Sequence, residues 1–166
     1  MLKNLILACL VIVFAVVLTA GLNNYFKSQR GDFFVLDQGQ IVPDFKFNGQ
    51  SLYNFKGKHV IVHFWASWCA PCVVEFPELI GLANKRDDVI ILAFSSDKNQ
   101  DTIDRFLTRN DFKIPDNFKI FLDKDRRVTE DKFSVFRLPE SFILNRDMIL
   151  QNHIVGAYKD WVDLDI

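Results

Sequence analysis

The sequence predicts an α/β domain with a mixed central sheet flanked by helices on both faces, and three observations carry that expectation. Apolar runs of strand length alternate along the chain with stretches whose apolar residues recur at helical spacing. The last two strand-like runs are separated only by the turn Asn145-Arg146-Asp147, so they form a hairpin and the sheet is not purely parallel. Of the 166 residues, 49% are apolar and 17 are Phe, enough for the core of one ordinary domain without disulfide staples. The formal charge of −1 and the lack of a basic stripe argue against a nucleic-acid partner. No internal repeat or low-complexity tract interrupts the pattern.

The chain opens with an uncharged 18-residue run, Leu5 to Leu22, preceded by Lys3. As a helix it is about 27 Å long, close to the roughly 30 Å of bilayer hydrocarbon. Residues 1–22 therefore read as an uncleaved membrane anchor. A cleaved signal segment is the alternative, although a cut after Ala20 places the large Leu18 in a pocket for small residues. Cys9 lies early in the run instead of after it, so it is not a lipoprotein acceptor. Lys27 and Arg30 follow the run and outnumber Lys3, so charge alone does not put the domain outside the cell. Residues 23–38 read as a tether, with Phe33 to Leu36 as a short strand, and residues 39–166 as the folded domain.

Within that domain, Pro43 to Phe47 alternates apolar and polar, and Asn48-Gly49 signals a hairpin leading to Ser51-Leu52-Tyr53. Lys56-Gly57-Lys58 turns the chain into a strand from His59 to Trp65. Helical spacing runs from Pro71 to about Lys85, with Pro71 suited to a first turn and Pro77 expected to kink the interior. Then come a strand over Val89 to Phe94, a helix over Asp101 to Arg109, and a strand over Phe118 to Leu122. A short helix over Asp125 to Phe133, strands over Ser141 to Leu144 and Ile149 to Val155, and a terminal helix over Tyr158 to Leu164 complete the set.

The chemistry-bearing motif is Trp68-Cys69-Ala70-Pro71-Cys72, at the junction of the first long strand and the first helix. Two intervening residues bring the thiols within bonding distance, and the helix start favours thiolate at the first sulfur through unpaired N–H groups and the dipole. Cys69 is thus the expected nucleophile and Cys72 the resolving thiol. Half of a zinc site and two inert core cysteines are the bland readings. Zinc wants four ligands and the only other Cys is Cys9, so no metal is expected.

That order of elements, with Phe64-Trp65-Ala66-Ser67-Trp68-Cys69-Ala70-Pro71-Cys72, resembles the thioredoxin superfamily, and within it the TlpA-like branch, over about residues 41–162. Pro43-Asp44-Phe45 with its hairpin is similar to that branch's N-terminal extension. Lys56 to Val60 is similar to its run-up to the cysteines, Glu75-Phe76-Pro77 to its Glu-x-Pro, and Arg137 to Phe142 to the superfamily's cis-proline loop. The resemblance implies a thioredoxin-like fold with an N-terminal β-hairpin extension and a cis Leu138–Pro139 bond packed against the cysteines. It also implies a substrate-binding surface at Trp68, Leu138 and Pro139, where the Leu138 backbone pairs with an incoming peptide.

Pro139-Glu140-Ser141-Phe142 is similar to the Pro-Glu-Thr-Phe of DsbE/CcmG-type cytochrome c maturation proteins, as are His153 and Gly156 to residues of their last strand. This implies a role for Glu140 in tuning the dithiol or transferring a proton, against the bland reading of a solvated carboxylate. His63 departs from the branch, which usually carries Asn there. It is either an acceptor for the Cys72 proton or a satisfied core histidine. His59 and His153 read as structural.

The resulting expectation is an extracytoplasmic oxidoreductase on a bacterial inner or cytoplasmic membrane, with its domain facing the periplasmic side. It reduces disulfide-bearing proteins, apocytochrome c among them, takes electrons from a membrane dithiol donor and needs no cofactor. A general oxidant of secreted proteins would use the same residues in reverse. A copper-delivery module using His153 is less favoured, because such modules usually space their cysteines by three residues. A non-catalytic interaction domain is less favoured again, because both thiols are intact.

Overall fold

The computed structural model describes residues 11–22 and 33–164. The chain divides into two units, Met1–Phe33 and Phe34–Ile166. In the first, residues 11–22 are helical and exposed. The start of the Leu5–Leu22 run, Cys9, and the flanking Lys3, Lys27 and Arg30 lie outside the described residues. Among the described residues, no helix is long and apolar enough to cross a membrane.

The second unit is built on a five-stranded sheet. Its strands are β3 (His59–Trp65), β4 (Val89–Ser95), β5 (Phe118–Leu122), β6 (Glu140–Leu144) and β7 (Leu150–Val155), in the order β5-β4-β3-β6-β7. β3, β4 and β5 are parallel, β6 pairs antiparallel with β3 and β7 antiparallel with β6, so the sheet is mixed. Ahead of it, β1 (Lys46–Phe47) and β2 (Gln50–Ser51) form a two-stranded hairpin around Asn48 and Gly49, both at positive φ.

Two helices join the parallel strands, α1 (Ala70–Lys85) and α2 (Gln100–Arg109). Successive right-handed crossovers that step in one direction across a sheet leave their helices on one face, and both helices share a single core there. Ile61, Trp65, Phe76, Leu79, Leu82, Ile91, Ile103 and Phe106 fill it. A 3₁₀ turn, Trp161–Asp163, closes the same face, and Gly81 of α1 permits the approach, since a Cβ there would stand 3.0 Å from a Val162 methyl.

The opposite face is covered by the hairpin, the 3₁₀ turn Leu52–Phe55 and a single π-helical turn, Arg127–Lys132. Its core is aromatic: Phe45, Phe47, Phe64, Phe94, Phe121, Phe133 and Phe142 touch one another in a chain of tilted and edge contacts.

Three elements differ from the sequence reading. Residues 33–36 form no strand; Phe34 instead anchors by its backbone N–H to the Lys132 carbonyl (2.6 Å) and by its ring on Phe45 and Phe133. The helix expected over Asp125 to Phe133 shortens to the π turn. There Asp123 accepts from the Val128 and Thr129 N–H groups and the Thr129 hydroxyl, and Arg126 takes positive φ, so the chain enters the turn abruptly. The terminal helix shrinks to the 3₁₀ turn around buried Trp161. α1 continues through Pro77.

Candidate active site

Cys69 is the N-cap of α1, with extended backbone, and its Sγ accepts the Cys72 N–H at 3.4 Å. Pro71 stands in the first turn, where its missing N–H costs nothing. The two cysteines are joined as a disulfide with Sγ atoms 2.09 Å apart. Cys72 is fully buried and Cys69 retains 6% exposure, while neighbouring Trp68 is 67% exposed. The outer sulfur therefore meets a partner and the inner one does not.

The loop ahead of Cys69 is pinned from beneath. Asp97, just past β4, is buried; its carboxylate accepts the Ser67 N–H (3.0 Å), the Ser67 hydroxyl (2.7 Å) and the Ser95 hydroxyl (2.7 Å). Three donors on one carboxylate offset its desolvation and hold the strand-to-helix bend in one shape. Sequence reading did not single out Asp97; the signal was a lone Asp directly after an apolar strand.

Leu138–Pro139 is a cis bond. The antiparallel register pairs Phe64 with Glu140, so Pro139 and Leu138 come opposite the C-terminal end of β3, where the chain leads into the cysteines. Leu138 is half-buried and packs on the core that holds both cysteines. The Pro139 carbonyl is taken by the Gly156 N–H at 2.9 Å.

His63 points from β3 toward α1 and is fully buried. Its Nδ1 lies 2.8 Å from the Ser141 hydroxyl, and its Nε2 is 3.4 Å from Glu75 Oε1 without hydrogen-bond alignment. Burial pushes the His63 imidazole down to about 3. Glu75 is 2% exposed, and burial pushes its carboxyl up to about 7 against the smaller opposing pull of the Tyr158 N–H (2.8 Å) and the nearby Trp161 indole. At neutral pH the packed layer under α1 thus holds a neutral imidazole and a carboxyl poised to take or release one proton. Glu75 was legible only as part of the Glu-Phe-Pro run. Its place three residues after Cys72, on the stripe of Cys72, Phe76 and Leu79, was the signal that it faces inward.

Glu140 is not part of this cluster. Strand alternation sends its side chain to the aromatic face with Phe64 and Phe142, where its Oε1 meets His153 Nε2 at 2.6 Å. The His153 ring stacks on Phe142 at 4.1 Å between centroids.

A cysteine pair at the start of the helix that follows the central parallel strand, with a cis-proline loop beside it, defines a thioredoxin-like domain. The chain belongs to the AhpC/TSA family, whose model matches residues 29–153. It is 30% identical over 118 residues to the thiol-disulfide oxidoreductase ResA of Bacillus cereus, covering 70% of this chain and 65% of that protein. It is 31% identical over 142 residues to the thioredoxin-like protein YneN of Bacillus subtilis, covering 80% of this chain and 78% of that one. Its fold matches a Chlorobium tepidum structure assigned as the thiol:disulfide interchange protein DsbE. The TM-score is 0.61 at 27% identity, covering 74% of this chain and 88% of the other.

Proposed function

We propose that this protein is a thiol–disulfide oxidoreductase that reduces disulfides in extracytoplasmic polypeptides. The observation that carries the reading is the capping position of Cys69, nearly buried beside a fully buried Cys72 and next to exposed Trp68. In the reduced protein the helix start favours the Cys69 thiolate. That thiolate attacks one sulfur of a substrate disulfide, the substrate S–S bond breaks, and the other substrate sulfur leaves as a thiolate and takes a proton. Cys72 then loses its proton and attacks the Cys69 sulfur of the mixed disulfide. The substrate departs with both sulfurs reduced, and two electrons have passed to it. A donor dithiol returns the protein to the reduced state.

Because Cys72 is sealed from water, its proton needs a receiver inside the protein. Glu75 lies one helical turn away on the same buried stripe and is the receiver we assign, while burial keeps His63 beyond it a neutral imidazole. Trp68, Leu138 and Pro139 form the surface against which the substrate peptide lies. Two finer parts of the reading rest on the sequence: reduction of apocytochrome c on the resemblance of Pro139-Glu140-Ser141-Phe142, and tethering to the membrane face that meets secreted proteins on the length of the uncharged Leu5–Leu22 run.

The test is a Cys72→Ser variant, which attacks but cannot resolve. It should accumulate partners as mixed disulfides that exogenous thiol releases, visible on non-reducing gels of membranes and identifiable by mass spectrometry. Apocytochromes with Cys-x-x-Cys-His among the adducts support the specific substrate; many unrelated secreted proteins without them would sink it. A variant that traps nothing would sink the oxidoreductase reading.

A further inference from the structure

An open groove of about 650 Å³ runs alongside the dithiol. One wall is the active-site segment itself, through Ser67 and Val73; the other is α2, through Thr102, Arg105 and Arg109, with Phe106 at the base. Arg105 and Arg109 are four residues apart, hence on one helix face, and both are exposed. Among the described residues neither guanidinium has a carboxylate partner; the contact shown for Arg105 is the Thr102 hydroxyl at 3.4 Å. Of the acidic groups nearby, Asp97 is buried beneath Ser67 and Asp104 accepts from Gln100, while Asp101, exposed one turn before Arg105, forms no ion pair with it. Arg109 also suits the C-terminal end of the α2 dipole, but that leaves Arg105, a turn earlier, without explanation.

We propose that this groove selects disulfide-bearing polypeptides that carry a carboxylate side chain next to the reactive cysteine. The inference rests on the thiol–disulfide reading above and names the substrate class of that site. Ser67 stands two residues from Cys69, a separation of at most about 7 Å along the chain. A peptide whose sulfur is at Cys69 therefore lays the side chain one or two positions away over the groove. Guanidinium groups bind a carboxylate through paired N–H donors, and two unneutralised cations in one cleft raise the local concentration of an acidic partner.

The experiment follows the reaction of the reduced full-length protein with two disulfide peptides that differ only in Glu or Lys beside the cysteine. The uncharged 2-hydroxyethyl disulfide serves as reference. At low ionic strength the Glu peptide should react about tenfold faster than the Lys peptide, and added salt should shrink the ratio toward one. Arg105→Gln with Arg109→Gln should abolish the preference and leave the rate with 2-hydroxyethyl disulfide unchanged. Equal rates for the two peptides in the unmodified protein, or a preference that survives both replacements, would overturn the groove assignment while the dithiol chemistry stands. No reaction with 2-hydroxyethyl disulfide would overturn the oxidoreductase reading and this one with it.

Discussion

Alternate residues of one strand build two faces of very different character. From β3, Val60, Val62 and Phe64 enter the aromatic core, while Ile61, His63 and Trp65 turn toward α1. The first face is apolar through Phe45, Phe94 and Phe133, with the Asp123–Thr129 pair at the π turn and Glu140 with His153 at its margins. The second encloses an imidazole, a carboxyl and a hydroxyl beside the cysteine pair. Burying His63 Nε2 and Glu75 Oε1 without aligned partners costs stability, and an ordinary core avoids it. The contrast teaches a division of labour. The aromatic face supplies cohesion, and the face under α1 gives some of it up by burying an imidazole and a carboxyl next to a sealed cysteine.

The largest effect tests whether the division is real. Phe94 is buried and touches the rings of Phe45, Phe47, Phe64 and Phe121. Phe94→Ala should destabilise the domain by about 3–5 kcal/mol, read by urea denaturation. The rate at which folded variant reacts with 2-hydroxyethyl disulfide should stay put. A large change in that rate at full folding would show the two faces to be coupled.

The next effect sharpens the picture of the α1 face, through pH. Glu75 titrates near 7 in the folded chain against 4.5 as an ordinary carboxyl, so the folded state holds a proton the unfolded state has lost. Its stabilisation is full below 4.5 and lost as pH rises through 7, about 3 kcal/mol in all. His63 has the opposite sign: its imidazole falls from 6.5 to about 3, so the native state is favoured fully above 6.5 and loses that advantage as pH falls toward 3. Between pH 4.5 and 6.5 the two slopes, each about 1.4 kcal/mol per pH unit, oppose one another. Glu75→Gln should therefore unmask a stability that climbs with pH across this window, and His63→Asn one that declines. Denaturation midpoints at a series of pH values decide it; identical profiles for the two variants would remove the pair from the account.

Much of this architecture was legible in the chain. Apolar runs of strand length announced the strands of the sheet, the Asn145-Arg146-Asp147 turn its antiparallel end, and the Cys-x-x-Cys junction the site. Hidden were contacts that depend on register and packing. His63 meets Ser141 across 78 positions of sequence, and only the pairing of β3 with β6 brings them together. The burial of Glu75 did not show in the Glu-Phe-Pro run, because a carboxylate inside an apolar stripe is uncommon. The α2 arginines drew no reading from the sequence, because only the fold lays α2 beside the cysteine loop. The π turn stayed hidden because its cause is the Asp123 carboxylate, which gathers backbone N–H groups that a regular helix would leave free.

The smallest effect concerns Glu140, where motif and geometry point to different neighbours. Sequence resemblance sets this carboxylate beside the dithiol, whereas register turns it to the far face, onto His153. The His153 side chain is 37% exposed, so water screens the pair and limits its worth. Glu140→Gln should lower stability by about 1 kcal/mol or less, and a double-mutant cycle with His153→Gln should return a coupling of that size. The pH profile of Cys69 alkylation in the reduced protein should not move, because no charge near that sulfur has changed. A profile shifted to lower pH in Glu140→Gln would mean that the carboxylate's field reaches the thiolate and opposes it. The aromatic face would then share in the chemistry, and the division between the two faces would fail at the strand where it begins.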